Sequence, residues 1–142
     1  MQDPITIEAI VTKEVEIVWN LWTGPEHIQV WNHASDDWEC PKAENDLRVG
    51  GHFSAIMSAK DGSASFDFNG TYTLVDQYKA IEYVMEGGRR VSVHFAPVEG
   101  GTKITEMFEP ETVHSRELQR SGWQSILDNF KHYAEQSNVS FR

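Results

Sequence analysis

The chain is poor in everything that would staple it, embed it in a bilayer or make it basic. One of its 142 residues is cysteine, Cys40, so an internal disulfide is impossible. No apolar run approaches the ~20 residues that cross a membrane, and no membrane partner is expected. Basic residues are scarce, with 12 Lys and Arg against 22 Asp and Glu and a formal charge of −10. Such a field repels phosphate backbones and anionic lipid surfaces, which also argues against nucleic acid. The start of the chain lacks a secretory pattern, and with a lone thiol the expected location is cytoplasmic. Repeats, low-complexity tracts and linkers are missing, so one domain over residues 1–142 is expected.

What the chain does have is aromatic and periodic. Hydrophobic residues make up 39% and aromatics 11%, with five Trp, which suits a packed core. In residues 115–136, Leu118, Gly122, Trp123, Ile126, Leu127, Phe130, Tyr133 and Ala134 fall three to five apart. They form one face of an amphipathic helix whose other face carries Arg120, Gln124, Asp128, Lys131 and Glu135. That apolar face requires a cover, and the rest of the chain reads as strands.

Ile5, Ile7, Ala9 and Val11 alternate as a first strand. Thr12 is placed to cap a short helix over 13–22, and Pro25 to open a second one through Trp31. A polar loop over 32–37 leads to a short strand over 38–40 that Pro41 ends. Alternation then gives strands carrying Phe53 to Ala59, Phe66 to Leu74, Ile81 to Met85, Val91 to Phe95 and Ile104 to Phe108. Asp61-Gly62, Gly87-Gly88 and Gly100-Gly101 are the turns, so the sheet is antiparallel. One helix covers so large a sheet only if the sheet curls around it, with a gap between them. Residues 137–142 are expected to be a loose end.

Several strings together resemble a known family. They are Val18-Trp19, Thr23-Gly24-Pro25-Glu26-His27 with Trp31, Asp46 to Phe53 around Arg48-Val49-Gly50-Gly51, Gly70-Thr71-Tyr72, and Gly122-Trp123 with Leu127. In this order they are similar to the activator of heat-shock-protein-ninety ATPase homologue family, of the START-like or birch-pollen-allergen-like superfamily. The resemblance covers nearly the whole chain, and it implies a short single-domain member. It implies an α+β helix-grip fold, with a curved antiparallel sheet of about six or seven strands around the C-terminal helix. It also implies a cavity that holds an apolar or aromatic small molecule. The family's name implies a chaperone as an alternative partner, and its cyclase-like relatives imply a cyclase, dehydratase or hydrolase as an alternative activity.

The candidate site residues follow from alternation and composition. Glu106 shares the inward face of Ile104 and Phe108, where it would orient a ligand or move a proton. A one-residue slip would instead put Thr105, Met107 and Glu109 inside. Trp31 and Trp38 bracket a loop in which His33, with Asp36 or Asp37, is placed to hold a polar ligand end; a solvated turn between core tryptophans is the other reading. Arg89 and Arg90 are either inward partners for Glu106 or a ligand carboxylate, or solvated turn residues. Phe53, Phe66, Tyr83, Phe95, Phe108, Trp123 and Leu127 complete the expected ligand-contacting set. The six His fall at no metal-ligand spacing, and neither a metal nor another cofactor is expected. Alternation does not say which strand forms an exposed edge, which leaves monomer and homodimer both open.

Overall fold

In the computed structural model, which describes residues 1–137, strands and helices follow the alternation read above. The order is β1 (Ile5–Val11), α1 (Val15–Thr23), α2 (Pro25–Trp31), β2 (Trp38–Asn45), β3 (His52–Ala59), β4 (Ser65–Asp76), β5 (Ala80–Met85), β6 (Arg90–Val98), β7 (Gly101–Phe108) and α3 (Arg116–Gln136). All pairings are antiparallel, in the sheet order β1-β7-β6-β5-β4-β3-β2. This is the helix-grip fold: one curled sheet of seven strands, the long helix in its concave face, and two short helices between β1 and β2. The expected loose tail beyond Ser137 lies outside the described residues. No described helix is long and apolar enough to cross a membrane.

The inward residues of β1, β5, β6 and β7 build the core. Ile5, Val11, Val91, Val93, Ile104 and Phe108 are fully buried, and Leu127, Phe130 and Ala134 of α3 close over them. The helix leans on β1 and touches α1 and α2. Its polar face holds the sheet edge: Arg120 Nη1 donates to Thr6 O at 2.7 Å and Gln124 Nε2 to Glu8 O at 3.2 Å. These bonds satisfy carbonyls that a free edge would offer to another chain. The opposite edge, β2, is blunted by Pro41 and by a bulge between Glu39 and Lys42.

Four local expectations are corrected. Strand β2 runs on through Pro41, because a bulge in an edge strand tolerates a missing N–H; it also breaks the alternation, so that Cys40 and Ala43 both point inward. Helix α1 starts two residues later than expected, after Glu14, and Thr12 does not cap it. Thr12 instead donates both its N–H and its hydroxyl to Glu135 near the end of α3. A bulge at Tyr72/Leu74 turns Leu74 outward and Val75 inward. In the first turn of α3, Leu118 is 58% exposed and Gln119 is buried in its place. Gln119 braces the preceding turn, donating to Glu111 O and His114 O and accepting from Glu111 N.

Gly122 leaves room in α3: a Cβ built there meets nothing within 4 Å. Gly122→Ala therefore gains helix propensity without a clash, an expected stabilisation of about 1 kcal/mol. Urea unfolding checks it, and a lower midpoint for the variant would contradict the open geometry.

Candidate functional site

Because α3 leans toward β1, the half of the sheet formed by β3, β4 and β5 is left partly uncovered. A pocket of about 250 Å³ fills this gap. Its sheet wall is a cluster of rings: Phe53 lies 4.7 Å from Tyr83, 5.4 Å from Tyr72 and 5.6 Å from Phe68. The facing wall comes from the helices, with Trp22 on α1, Ile28 and Trp31 on α2, and Trp123 and Ile126 on α3. Trp123 bridges the two walls. It stacks flat on the buried Phe108 at 4.0 Å and 9°, and its edge meets Phe68 at 6.0 Å.

Polar groups in this apolar box are few. Tyr72 donates to Asn45 Oδ1 at 2.6 Å, and Asn45 Nδ2 donates to Thr23 O at 2.8 Å, which ties β4, β2 and the end of α1 together. Burial, only partly offset by the Asn45 bond, holds the Tyr72 phenol well above its ordinary range. Asn32 and Arg89 also line the pocket.

Glu106 is only 6% exposed. Strand β7 pairs without interruption with both neighbours, so no slip occurs and Glu106 stands inward opposite Val93 and Ile7. No cation or hydrogen-bond donor among the described residues reaches its carboxyl. Desolvation alone pushes the group up to about 8, so it is mostly an uncharged acid at neutral pH. Tyr83, on β5, faces the same space, and its hydroxyl also lacks a partner among the described residues. Burial, then the nearby Glu106 and Tyr72, raises its phenol further.

The expected site residues separate into two groups. Trp31, Phe53, Phe66, Tyr83, Glu106 and Trp123 line the pocket. Phe95 lies deeper, against Trp19 and Trp22; Phe108 backs Trp123, and Leu127 sits in the core. Trp38 packs on the outer part of Phe66 at 5.9 Å. His33 stands away from the pocket. Its Nε2 accepts from Asn129 Nδ2 at 3.2 Å, which leaves Nδ1 buried without a partner. Burial, then the charge of Lys60, lowers its pKa against the pull of Asp36. Asp36 and Asp37 are exposed.

Arg89 lines the pocket without pairing to Glu106; its Nη1 donates to Glu109 O at 3.1 Å. Arg90 is an exposed turn residue paired with Glu109 at 3.1 Å. Glu109 is buried too, but beyond the strand, where it accepts from Arg90 and the N–H of Gln2 and is held down to about 2. Among the described residues, no three His, Cys, Asp or Glu gather to hold a metal.

Outside the expected set, the structure adds Trp22, Ile28, Asn32, Asn45, Tyr72 and Ile126 to the lining. Inward alternation on β4 was a signal for Tyr72. None existed for Asn45, whose direction depends on the β2 bulge.

The comparisons agree with this architecture. The chain superimposes on an AHSA1-like protein from Aeromonas hydrophila with a TM-score of 0.90 at 46% identity, covering 98% of this chain and 99% of that one. A protein from Cytophaga hutchinsonii matches at 48% identity with a TM-score of 0.81, over 92% and 91% of the two chains. One from Chromobacterium violaceum, at 22% identity and a TM-score of 0.84 over 95% and 99%, shares the fold. No curated protein matches the sequence. The family model described as activator of Hsp90 ATPase homolog 1-like protein matches residues 13–135. The chain thus belongs to the activator of Hsp90 ATPase homologue 1-like family.

Proposed function

We propose that the protein binds a small, flat, apolar or aromatic molecule between the sheet and α3, and does so in the cytoplasm. The observation that carries this reading is the aromatic pocket of about 250 Å³ whose wall holds unpartnered polar side chains, Glu106, Tyr83 and Asn32. A filled core would have no reason to retain them, since a buried polar group without a hydrogen bond is costly. The volume is just under the ~300–1,000 Å³ usual for small-molecule sites, so the ligand is compact. Affinity comes from apolar burial at ~25 cal/mol per Å². A reaction in the same pocket is the second reading. Glu106 favours it, as an acid that still holds its proton at neutral pH. The family's chaperone link stands behind both, because the site described here is a cavity rather than a protein-sized surface.

Native mass spectrometry of the protein from its own host, compared with the denatured mass, tests binding. The expected result is a reproducible extra mass of small-molecule size, lost in Trp123→Ala. A bare mass in every preparation, together with altered ATPase turnover of the host's Hsp90 chaperone when the protein is added, would replace the ligand by a protein partner.

A further inference from the structure

Two titratable side chains in the pocket wall, Glu106 and Tyr83, have no hydrogen-bonding partner among the described residues, and both open on the same space. Glu106 is 6% exposed and Tyr83 8%. They come from different strands, β7 and β5, with β6 between them, so the sheet fixes their relative position. Across β6, Tyr83 aligns with Val91 and through it with Phe108, two residues along β7 from Glu106 on the same inward face, and the two side chains do not hydrogen-bond to each other. A phenol supplies one O–H, and an un-ionised carboxyl supplies another. A carbonyl oxygen has two lone pairs, and can accept from both at once.

We propose that Glu106 and Tyr83 form a paired-donor seat for one carbonyl oxygen, and that the ligand is an uncharged aromatic ketone, quinone or ester. This rests on the ligand-binding reading above and names the ligand's class. The surroundings support it over charged alternatives. An anion would face a chain of net charge −10. A cation would need an ionised Glu106, whose desolvation favours the neutral form, and would share the pocket with the Arg89 guanidinium. The flat ring walls, Trp123 and Phe53 among them, suit a planar body behind the carbonyl.

The other titratable groups lining the pocket are Tyr72 on β4, Arg89 in the turn between β5 and β6, and Glu44 on β2. The lining residues of α1, α2 and α3 are Trp22, Ile28, Trp31, Trp123 and Ile126, none of which titrates. The seat therefore loses a donor only when Glu106 ionises, as pH rises through about 8.

The test is a titration with four probes of one shape: acetylnaphthalene, ethylnaphthalene, naphthoate and naphthylethylamine. At about pH 6.5, acetylnaphthalene should bind about tenfold more tightly than ethylnaphthalene, the worth of the paired donors. That preference should fade as pH rises through about 8. In Glu106→Gln, which keeps an N–H donor, the preference should persist and lose its pH dependence. In Tyr83→Phe it should shrink at every pH. The infrared C=O stretch of bound acetylnaphthalene should fall relative to its value in hydrocarbon, and fall less in Tyr83→Phe. A structural role alone would not move that band. Equal binding of acetylnaphthalene and ethylnaphthalene would overturn the carbonyl seat and leave the apolar pocket intact. Tightest binding of naphthylethylamine, or of naphthoate, would overturn it in favour of a charged ligand. Failure of all four probes would remove the ligand-binding reading with it.

Discussion

Phe130→Ala should be among the most damaging single substitutions in this chain, lowering stability by about 3–5 kcal/mol. The ring is fully buried, and it meets Trp22 at 4.8 Å and Trp31 at 5.0 Å, both nearly edge-on. Truncation removes the transfer energy of the ring and leaves a cavity that the stiff β7–β6 core cannot collapse to fill. The melting point should drop by roughly 10 °C or more. The effect should also reach the site. Trp22 and Trp31 line the pocket, and Phe130 is what they rest against. Removing that support should loosen the pocket and red-shift tryptophan emission as water reaches the two indoles, so probe binding should weaken even where the variant is folded. Phe130→Leu should recover more than half of the lost stability, since it refills most of the volume. A melting point within about 2 °C of the parent for Phe130→Ala would mean that α3 is not the clamp described here.

The fold could be read from the sequence because period-two alternation on β3, β5, β6 and β7 is unbroken, and glycine turns separate the strands. The long helix announced itself through the spacing of Trp123, Leu127, Phe130 and Ala134. Side-chain polarity misleads where backbone polar groups decide placement. Gln119 is buried because three backbone groups of the 111–114 turn need it, and Leu118 is exposed as a consequence. Strand β2 continued through Pro41 because an edge strand can spare a donor. The inward direction of Glu106 was open to a one-residue slip; only the pairing of β7 with both β1 and β6 settles it. The pocket itself depends on how far α3 tilts toward β1, a tertiary quantity that no local pattern carries. Hence Asn45 and Trp22 were absent from the expected lining, and Phe95 and Leu127, equally apolar, were placed in it although they lie in the core.

The buried acid that marks the pocket should also make the protein less stable as the medium turns alkaline. In the folded chain the Glu106 carboxyl is raised to about 8 from an ordinary value of 4.5. Below the ordinary value both states hold the proton, and Glu106 contributes nothing to the pH dependence. Above it the unfolded chain releases the proton while the folded chain keeps it, so stability falls as pH rises, until the folded group also ionises near 8. The slope is about −1.4 kcal/mol per pH unit, and the whole loss has a ceiling of roughly 4–5 kcal/mol. Four other groups slope the opposite way, but at lower pH: the lowered carboxyls of Glu109, Asp61 and Glu111, and His33. Glu109, held down to about 2, contributes stability that is complete above the ordinary carboxylate range and lost in acid. His33, kept neutral by burial, ceases to matter above the ordinary imidazole value of 6.5. Cys40, Tyr72, Tyr83 and Tyr133, all raised, act only above their ordinary thiol and phenol ranges. The interval from about pH 6.5 to 8 therefore isolates Glu106. Urea unfolding across that interval should show the parent losing stability steadily and Glu106→Gln holding level, so that the variant is the more stable protein at the upper end. The same decline in both proteins would place the responsible proton elsewhere. A ligand that accepts the Glu106 proton in a hydrogen bond should raise stability most at the lower end of the interval and carry the decline on to higher pH, since it holds the proton on the folded chain that the unfolded chain has already released.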